Sequence, residues 1–176
     1  MKTFPIRTPP IVIKYTIYSK IPQDIYHILW DFTSSVFSYC IDGGHCSNTE
    51  FAARVGISPN TISKITSYGI IPNTKSIVKI ADYLQVSIPY LLAKTDENSF
   101  DPALQPVTFQ ERLKQLIREN EMRIANVTNN PNATFSRNSI HLWLKRNNLP
   151  AIDFIFQLAT IFNVSPDYLL GRSDDR

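Results

Sequence analysis

Apolar and polar residues follow one another along most of this chain at the spacing of amphipathic helices. Between residues 24 and 41 apolar positions recur every three or four residues, and the run Asp42-Gly43-Gly44 then ends the pattern. Residues 11–18 differ, because they are rich in the β-branched and aromatic side chains that favour a β-strand. The pattern therefore predicts an all-α protein preceded by an N-terminal arm with one short strand.

Residues that begin and end helices divide the middle of the chain into short segments. Ser47, with a glutamate three residues later, has the pattern of a capping box, and Gly56 is suited to end the helix that this box begins. Ser58 followed by Pro59 predicts the start of a second helix. Two more short helices are predicted within residues 72–92, where apolar residues recur at helical spacing.

The second half of the chain repeats the pattern of the first at a constant distance of 78 residues. No gap is needed between residues 60–96 and residues 138–174, and 11 of the 37 aligned pairs are identical. Pro72 with Pro150 is one identical pair, and a Tyr-Leu-Leu run recurs near the end of both segments. A duplication of this length predicts two copies of one small domain.

The repeat, and the composition between its copies, predict the domain boundaries. Residues 1–20 form the N-terminal arm and residues 21–95 the first domain. Residues 96–107 are polar and interrupted by prolines, which is typical of a linker. Residues 108–176 form the second domain, which begins at Thr108 with another capping-box pattern and continues as an amphipathic helix.

Composition and charge narrow the classes of function. The 176 residues are 43% hydrophobic but contain neither an apolar run long enough to span a membrane nor the features of a signal peptide, so a cytoplasmic protein without a membrane partner is expected. The net charge of +3 divides into +4 for residues 1–95 (nine basic, five acidic) and −1 for residues 96–176 (nine basic, ten acidic). A polyanionic partner should therefore be attracted mainly by the first half.

No arrangement typical of an enzyme or a metal site stands out in the sequence. Cys40 and Cys46 do not have the spacing of a zinc site, and the three histidines do not complete one. No catalytic serine–histidine–aspartate set, HExxH helix or phosphate-binding glycine loop is recognised. We therefore expect neither enzymatic activity nor a cofactor.

Two short helices joined by a tight turn at Gly56-Ile57-Ser58 are typical of the helix-turn-helix arrangement. Its second helix places exposed N-terminal side chains in the major groove of DNA. The run FAARVGISPNTISKI, followed by Pro72 and IVKIADYLQVSIPYLL, resembles the Cro/phage-repressor helix-turn-helix family. The resemblance covers residues 37–94 and, in a divergent form, residues 109–172. It implies two tandem five-helix domains of a family that usually represses transcription by binding operator DNA as a dimer.

The resemblance also implies which side chains of the first domain touch DNA. Asn48 matches a position that binds phosphate, and the exposed start and face of the recognition helix comprise Ser58, Pro59, Asn60, Thr61, Ser63 and Lys64. Asn60 is the main candidate for reading a base, because an asparagine amide can pair bidentately with adenine. Ile62 and Ile65 should face the core.

In the second domain the corresponding face comprises Arg137, Asn138, Ser139, His141, Lys145 and Arg146, while Ile140 and Trp143 should be core. The turn before this helix is longer, because 14 positions separate Ala125 from Ser139 where 9 separate Ala52 from Thr61. Two interpretations of this second face stay open: contact with DNA, or a solvated helix surface.

These observations favour a sequence-specific DNA-binding regulator, such as a phage or mobile-element repressor, whose partner is double-stranded DNA. Two domains in one chain could read two half-sites about 34 Å apart, and a homodimer formed through the strand or the second domain is a further expectation. The alternative is a helix-turn-helix scaffold reused to bind a protein, as in an antitoxin or a phage-encoded inhibitor of a host enzyme. The acidic balance and long turn of the second domain favour that alternative there. RNA binding is a third and weaker alternative, because no RNA-recognition motif is visible.

Overall fold

The computed structural model describes residues 47–146 and 148–176, and these residues form helices connected by turns, without a strand. In chain order the helices are α1 (Asn48–Val55), α2 (Pro59–Tyr68), α3 (Thr74–Leu84), α4 (Ile88–Leu91), α5 (Phe109–Glu119), α6 (Ile124–Thr128), α7 (Arg137–Arg146), α8 (Ile152–Phe162) and α9 (Pro166–Leu169). The predicted strand at residues 11–18 and the predicted helix at residues 24–41 lie outside the described residues. No helix in the described part of the chain is long and apolar enough to cross a membrane.

The helices of the first half begin and end where the sequence predicts. The Ser47 hydroxyl caps α1 by accepting from the Glu50 amide at 3.2 Å, and Gly56 ends the helix in the left-handed conformation at φ 71°. The Glu50 carboxylate, expected to complete a capping box, accepts instead from Arg54 one turn later at 2.6 Å. Pro59 is the first residue of α2 as predicted, but the Ser58 side chain makes no capping bond.

Three helices of the second half repeat the bounds of the first half at the spacing seen in the sequence. Helices α7, α8 and α9 begin and end 78 residues after α2, α3 and α4. The caps repeat too, because Ser87 and Ser165 both accept from the amide three residues later. Gln85 and Asn163, which end α3 and α8, are both left-handed, at φ 54° and 52°. The repeat in sequence therefore coincides with a repeat in secondary structure.

The apolar faces of the helices meet in one hydrophobic core. All four side chains predicted to be core are buried, namely Ile62, Ile65, Ile140 and Trp143. The amphipathic stripe of α5 is buried as well, through Phe109, Leu113 and Leu116. Burial of the same helical positions in both halves leaves the opposite faces of α2 and α7 at the surface.

The polar linker is held along its length against both halves. The Ala103 amide donates to the Arg172 carbonyl at 2.8 Å, and the Leu104 amide donates to the Asp174 carboxylate at 3.1 Å. At the other end the Asn98 side chain accepts from the Ser87 amide at 3.0 Å. Gly171 packs so closely on the linker that an added Cβ would lie 2.0 Å from the Val107 carbonyl oxygen.

Two glycines with the same backbone angle provide a matched test of this contact. Gly56 and Gly171 both have φ 71°, but a Cβ on Gly56 would meet only the end of the Lys79 side chain, at 3.6 Å. Gly56→Ala should therefore cost only the left-handed strain, about 1–2 kcal/mol. Gly171→Ala should cost a further 1–3 kcal/mol or so, because it also forces the linker to move. Urea unfolding of the two variants measures the difference, and equal losses would contradict a tightly packed linker.

The capping box predicted at the start of the second half is complete and makes stability depend on pH. The Thr108 hydroxyl accepts from the Glu111 amide at 3.2 Å, and the Thr108 amide donates to the Glu111 carboxylate at 2.8 Å. The backbone hydrogen bond from Thr108, followed by that from its hydroxyl, holds the pKa of Glu111 below its usual value.

A group whose folded-state pKa is lowered stabilises the fold above its unfolded pKa, here about 4.3, and loses that effect as the pH falls through the folded pKa. Glu111→Gln should therefore reduce stability at neutral pH and flatten the loss of stability on acidification. Urea unfolding between neutral and acid pH checks this, with the exposed Glu97→Gln as control. An acid limb identical to that of the unmodified protein would contradict the prediction.

Candidate nucleic-acid interface

Helices α1 and α2 are joined by a tight turn that the backbone itself stabilises. The amides of Gly56 and Ile57 return to α1 and donate to the Ala53 and Ala52 carbonyls, at 3.3 and 2.9 Å. Lys79 from α3 donates to the Gly56 carbonyl at 2.5 Å, so a cation lies at the negative end of α1. The two helices are thereby fixed relative to each other, and α3 supports the turn between them.

The outward face of α2 carries the side chains that the sequence assigned to it. Pro59, Asn60 and Lys64 are exposed, and Thr61 and Ser63 are partly exposed. Ile62 and Ile65, on the opposite face, are 0% and 1% exposed. A helix with one face fully buried and the other polar can enter a groove without leaving its own core uncovered.

The first turn of α2 leaves polar groups available to an anion. Pro59 has no amide hydrogen, and the Ser58 hydroxyl, also exposed, makes no capping bond. The Thr61 amide donates to the Ser58 carbonyl at 2.9 Å, so the Asn60 amide is the group left to point outward at the positive end of the helix dipole. This end of α2 is therefore suited to contact a phosphate.

Asn48, predicted to bind phosphate, lies beside the exposed face of α2. It is the first residue of α1, and its side-chain amide donates to the Thr66 hydroxyl of α2 at 3.4 Å. Thr66 in turn donates to the Ile62 carbonyl at 3.0 Å. The start of α1 and the exposed side of α2 thus form one continuous polar surface, and Thr66 is a member that the sequence did not reveal.

The second half presents a more basic face on α7. Arg137, Asn138 and His141 are exposed, as are Lys145 and Arg146 at the end of the helix. Ser139 is partly exposed, and the Ser136 hydroxyl caps its amide at 3.2 Å. The Ser136 side chain therefore caps the start of α7, whereas the Ser58 side chain does not cap the start of α2.

The longer turn between α6 and α7 is ordered by aromatic packing. Phe135 is buried and packs edge-to-face on Trp143 and Phe154, with ring centroids 5.3 and 5.7 Å apart. Just before it, Thr134 and Gln157 of α8 exchange hydrogen bonds at 2.9 and 3.0 Å. The predicted insertion is therefore a fixed loop attached to the core beneath the start of α7.

Residues 44–91 match the helix-turn-helix family model. The match contains α1 to α4 and supports the family that the sequence suggested for the first half, while the second half lies outside the matched residues. Neither the curated proteins nor the solved structures provide a match to the chain.

The residues that match the helix-turn-helix model include the exposed polar face of α2. Within residues 47–146 and 148–176 no group of histidine, cysteine, aspartate or glutamate side chains is arranged to hold a metal ion. The exposed polar face of α2 lies within the matched residues and is the candidate site of the first half. Its members come from two sequence segments, the start of α1 and the first turns of α2.

Proposed function

We propose that this protein is a sequence-specific DNA-binding transcriptional regulator, with α2 as its main reading element. The observation that carries the proposal is the division of α2 into a buried face and an exposed face within the helix-turn-helix match. Asn60 and Lys64 lie on the exposed face, whereas Ile62 and Ile65 anchor the helix from below. Such a helix can be inserted into the major groove as a rigid unit.

Each side chain on this face has a chemical role in the proposal. The Asn60 amide can donate and accept at the edge of an adenine, and Lys64 can contact a guanine or a phosphate. Thr61 and Ser63 supply hydroxyl groups for a base edge or the backbone, and Pro59 supplies apolar contact, for example with a thymine methyl group. Asn48 and Ser58 contact the flanking phosphates.

We further propose that the second half is a divergent copy of the same domain. The coincidence of its helix bounds and caps with those of the first half supports this. Asn138, equivalent to Asn60, is exposed on α7, and Arg137, Ser139, His141, Lys145 and Arg146 surround it. A repressor of a phage or mobile element is the regulator that this architecture fits best, and it acts by occupying a promoter.

A protein-binding role for the second half is the alternative that one observation favours. Leu142 stands on α7 where α2 has Lys64, and it is 45% exposed. An exposed leucine on the recognition face suits a protein surface better than a phosphate backbone.

We expect Leu142→Lys to strengthen DNA binding if α7 reads DNA and to weaken capture of a protein partner if α7 binds a protein instead. Capture that persists after nuclease treatment and is lost in this variant would support the alternative.

Two substitutions on α2 separate base reading from phosphate contact. Asn60→Ala should weaken binding to the preferred sequence by about 1–3 kcal/mol and relax the preference at one base pair. Lys64→Gln should weaken binding to all sequences alike and reduce the slope of log affinity against log salt by about 1. Selection from random DNA followed by titration at several salt concentrations measures both effects.

The control for these variants is Ser67→Ala, an exposed residue near the end of the same helix. It should change neither the base preference nor the salt slope. An Asn60→Ala variant that loses affinity equally on every sequence would make Asn60 a positioning residue. A salt slope near zero for the unmodified protein would contradict phosphate contact altogether.

A further inference from the structure

The two halves are joined by a charged cluster centred on the buried side chain of Arg172. Its side chain is 5% exposed, and each guanidinium nitrogen has a partner. Nε donates to the Asp82 carboxylate at 2.7 Å, and one terminal nitrogen donates to the Val86 carbonyl at 3.0 Å. The other terminal nitrogen donates to the Asp167 carboxylate. Arg172 therefore connects its own half to the end of α3 and to the turn before α4.

Asp167 makes a second connection across the same junction. It is 4% exposed, and both of its carboxylate oxygens accept from the Ile88 amide, at 3.0 and 3.2 Å. Ile88 is the first residue of α4, so a carboxylate of the second half satisfies the open amide at the start of a helix in the first half. A shift of one half that kept this carboxylate buried would take away the Ile88 amide and leave the charge incompletely paired.

The elements that meet at this junction are equivalent in the repeat. Helices α4 and α9, which are 78 residues apart, contact each other. The Thr74 hydroxyl at the start of α3 donates to the Pro150 carbonyl just before α8, at 2.6 Å. When the same patch of two copies meets itself, the copies are related by a two-fold axis, whereas head-to-tail contacts join different patches.

Two equivalent cations contact equivalent helices, each in the opposite half. Arg172 and Lys94 are 78 residues apart, and each reaches into the other half. Arg172 binds Asp82 of α3, and the Lys94 ammonium lies 5.0 Å from the ring centroid of Phe156 in α8. The linker fills the side of the junction, where Phe100 packs under the Arg172 guanidinium at 4.4 Å.

We infer that the two halves form an internal pseudo-dimer, in which a single chain reads an inverted pair of unequal half-sites. In this arrangement Arg172 is a positioning residue that sets the spacing between the half-sites. The inference rests on the proposed function. The two-fold relation makes the half-sites inverted. The shared Asn60 and Asn138 give them a common base, and Ser63 in place of His141 makes them differ. The internal junction takes the place of the second subunit that the sequence suggested.

The first test uses the full chain on DNA selected from a random pool. One chain should occupy one operator in native mass spectrometry, and the operator should be an imperfect inverted repeat. Inserting about five base pairs, half a helical turn, between the half-sites should weaken binding roughly 100-fold. The insertion turns one half-site away from its reading face, so the second face no longer binds as an intramolecular partner at high effective concentration.

The second test changes the junction without touching the reading faces. Arg172→Gln should keep the affinity for the stronger half-site alone but reduce the spacer penalty to about tenfold or less. Arg118→Gln, an exposed arginine on α5, is the matched control and should keep the full penalty. If Arg172→Gln does not fold, Thr74→Val removes the bond to Pro150 and should reduce the penalty in the same direction.

The possible results separate the two proposals. Two chains on one operator, a direct repeat, or binding that tolerates any spacer would overturn the internal pseudo-dimer and leave the DNA-binding function intact. A full spacer penalty in a folded Arg172→Gln variant would remove Arg172 from the positioning role. Absence of preferred binding to any DNA would contradict the proposed function itself.

Discussion

The requirement to satisfy one buried guanidinium fixes how the two halves of this protein meet. Arg172 is almost fully enclosed, and its partners are a carboxylate of its own half, a carboxylate of α3 and a backbone carbonyl of the first half. Burial raises the pKa of Asp167, and the Arg172 charge and the Ile88 amide oppose that effect by stabilising its carboxylate. A rotation of one half against the other that kept these groups buried would leave them without partners, and an unpaired buried charge is strongly destabilising. A change in the relative orientation of the halves is therefore expensive, while small changes on their outer faces are not.

This constraint explains why residues that look like a linker and a tail are held by specific backbone contacts. The backbone of Ala103 and the backbone of Arg172 are hydrogen-bonded, and the left-handed Gly171 leaves room for the Val107 carbonyl. The tail continues into Asp174, which accepts from the Leu104 amide. The segment after α9 thus contacts both the linker and the first half and is part of the junction.

The sequence predicted what depends on neighbours in the chain and missed what depends on distant ones. The caps at Ser47 and Thr108, and the burial of Ile62 and Ile140, follow from local periodicity and capping chemistry. The contacts of Arg172 join residues 86 and 90 positions apart, and no local pattern encodes them. One signal was available, since the cation at this position recurs in both copies as Lys94 and Arg172. The carboxylate that binds Arg172 could not be recognised in the same way, because Asp167 is equivalent to Pro89 and so occurs in the second half only.

The exposed faces of α2 and α7 differ although the two helices lie at equivalent positions of the repeat. Their buried positions hold large apolar side chains that pack on the core, namely Ile62 and Ile65 in α2 and Ile140 and Trp143 in α7. Their outer positions share an asparagine but differ in charge, in capping and in the turn that precedes them. The longer turn did not disturb the core, because Phe135 fills the space beside Trp143 and Phe154 and so attaches the added residues to it. Core packing and the Arg172 junction together preserve the arrangement of the helices, so the side chains exposed on the two faces can differ without disturbing it.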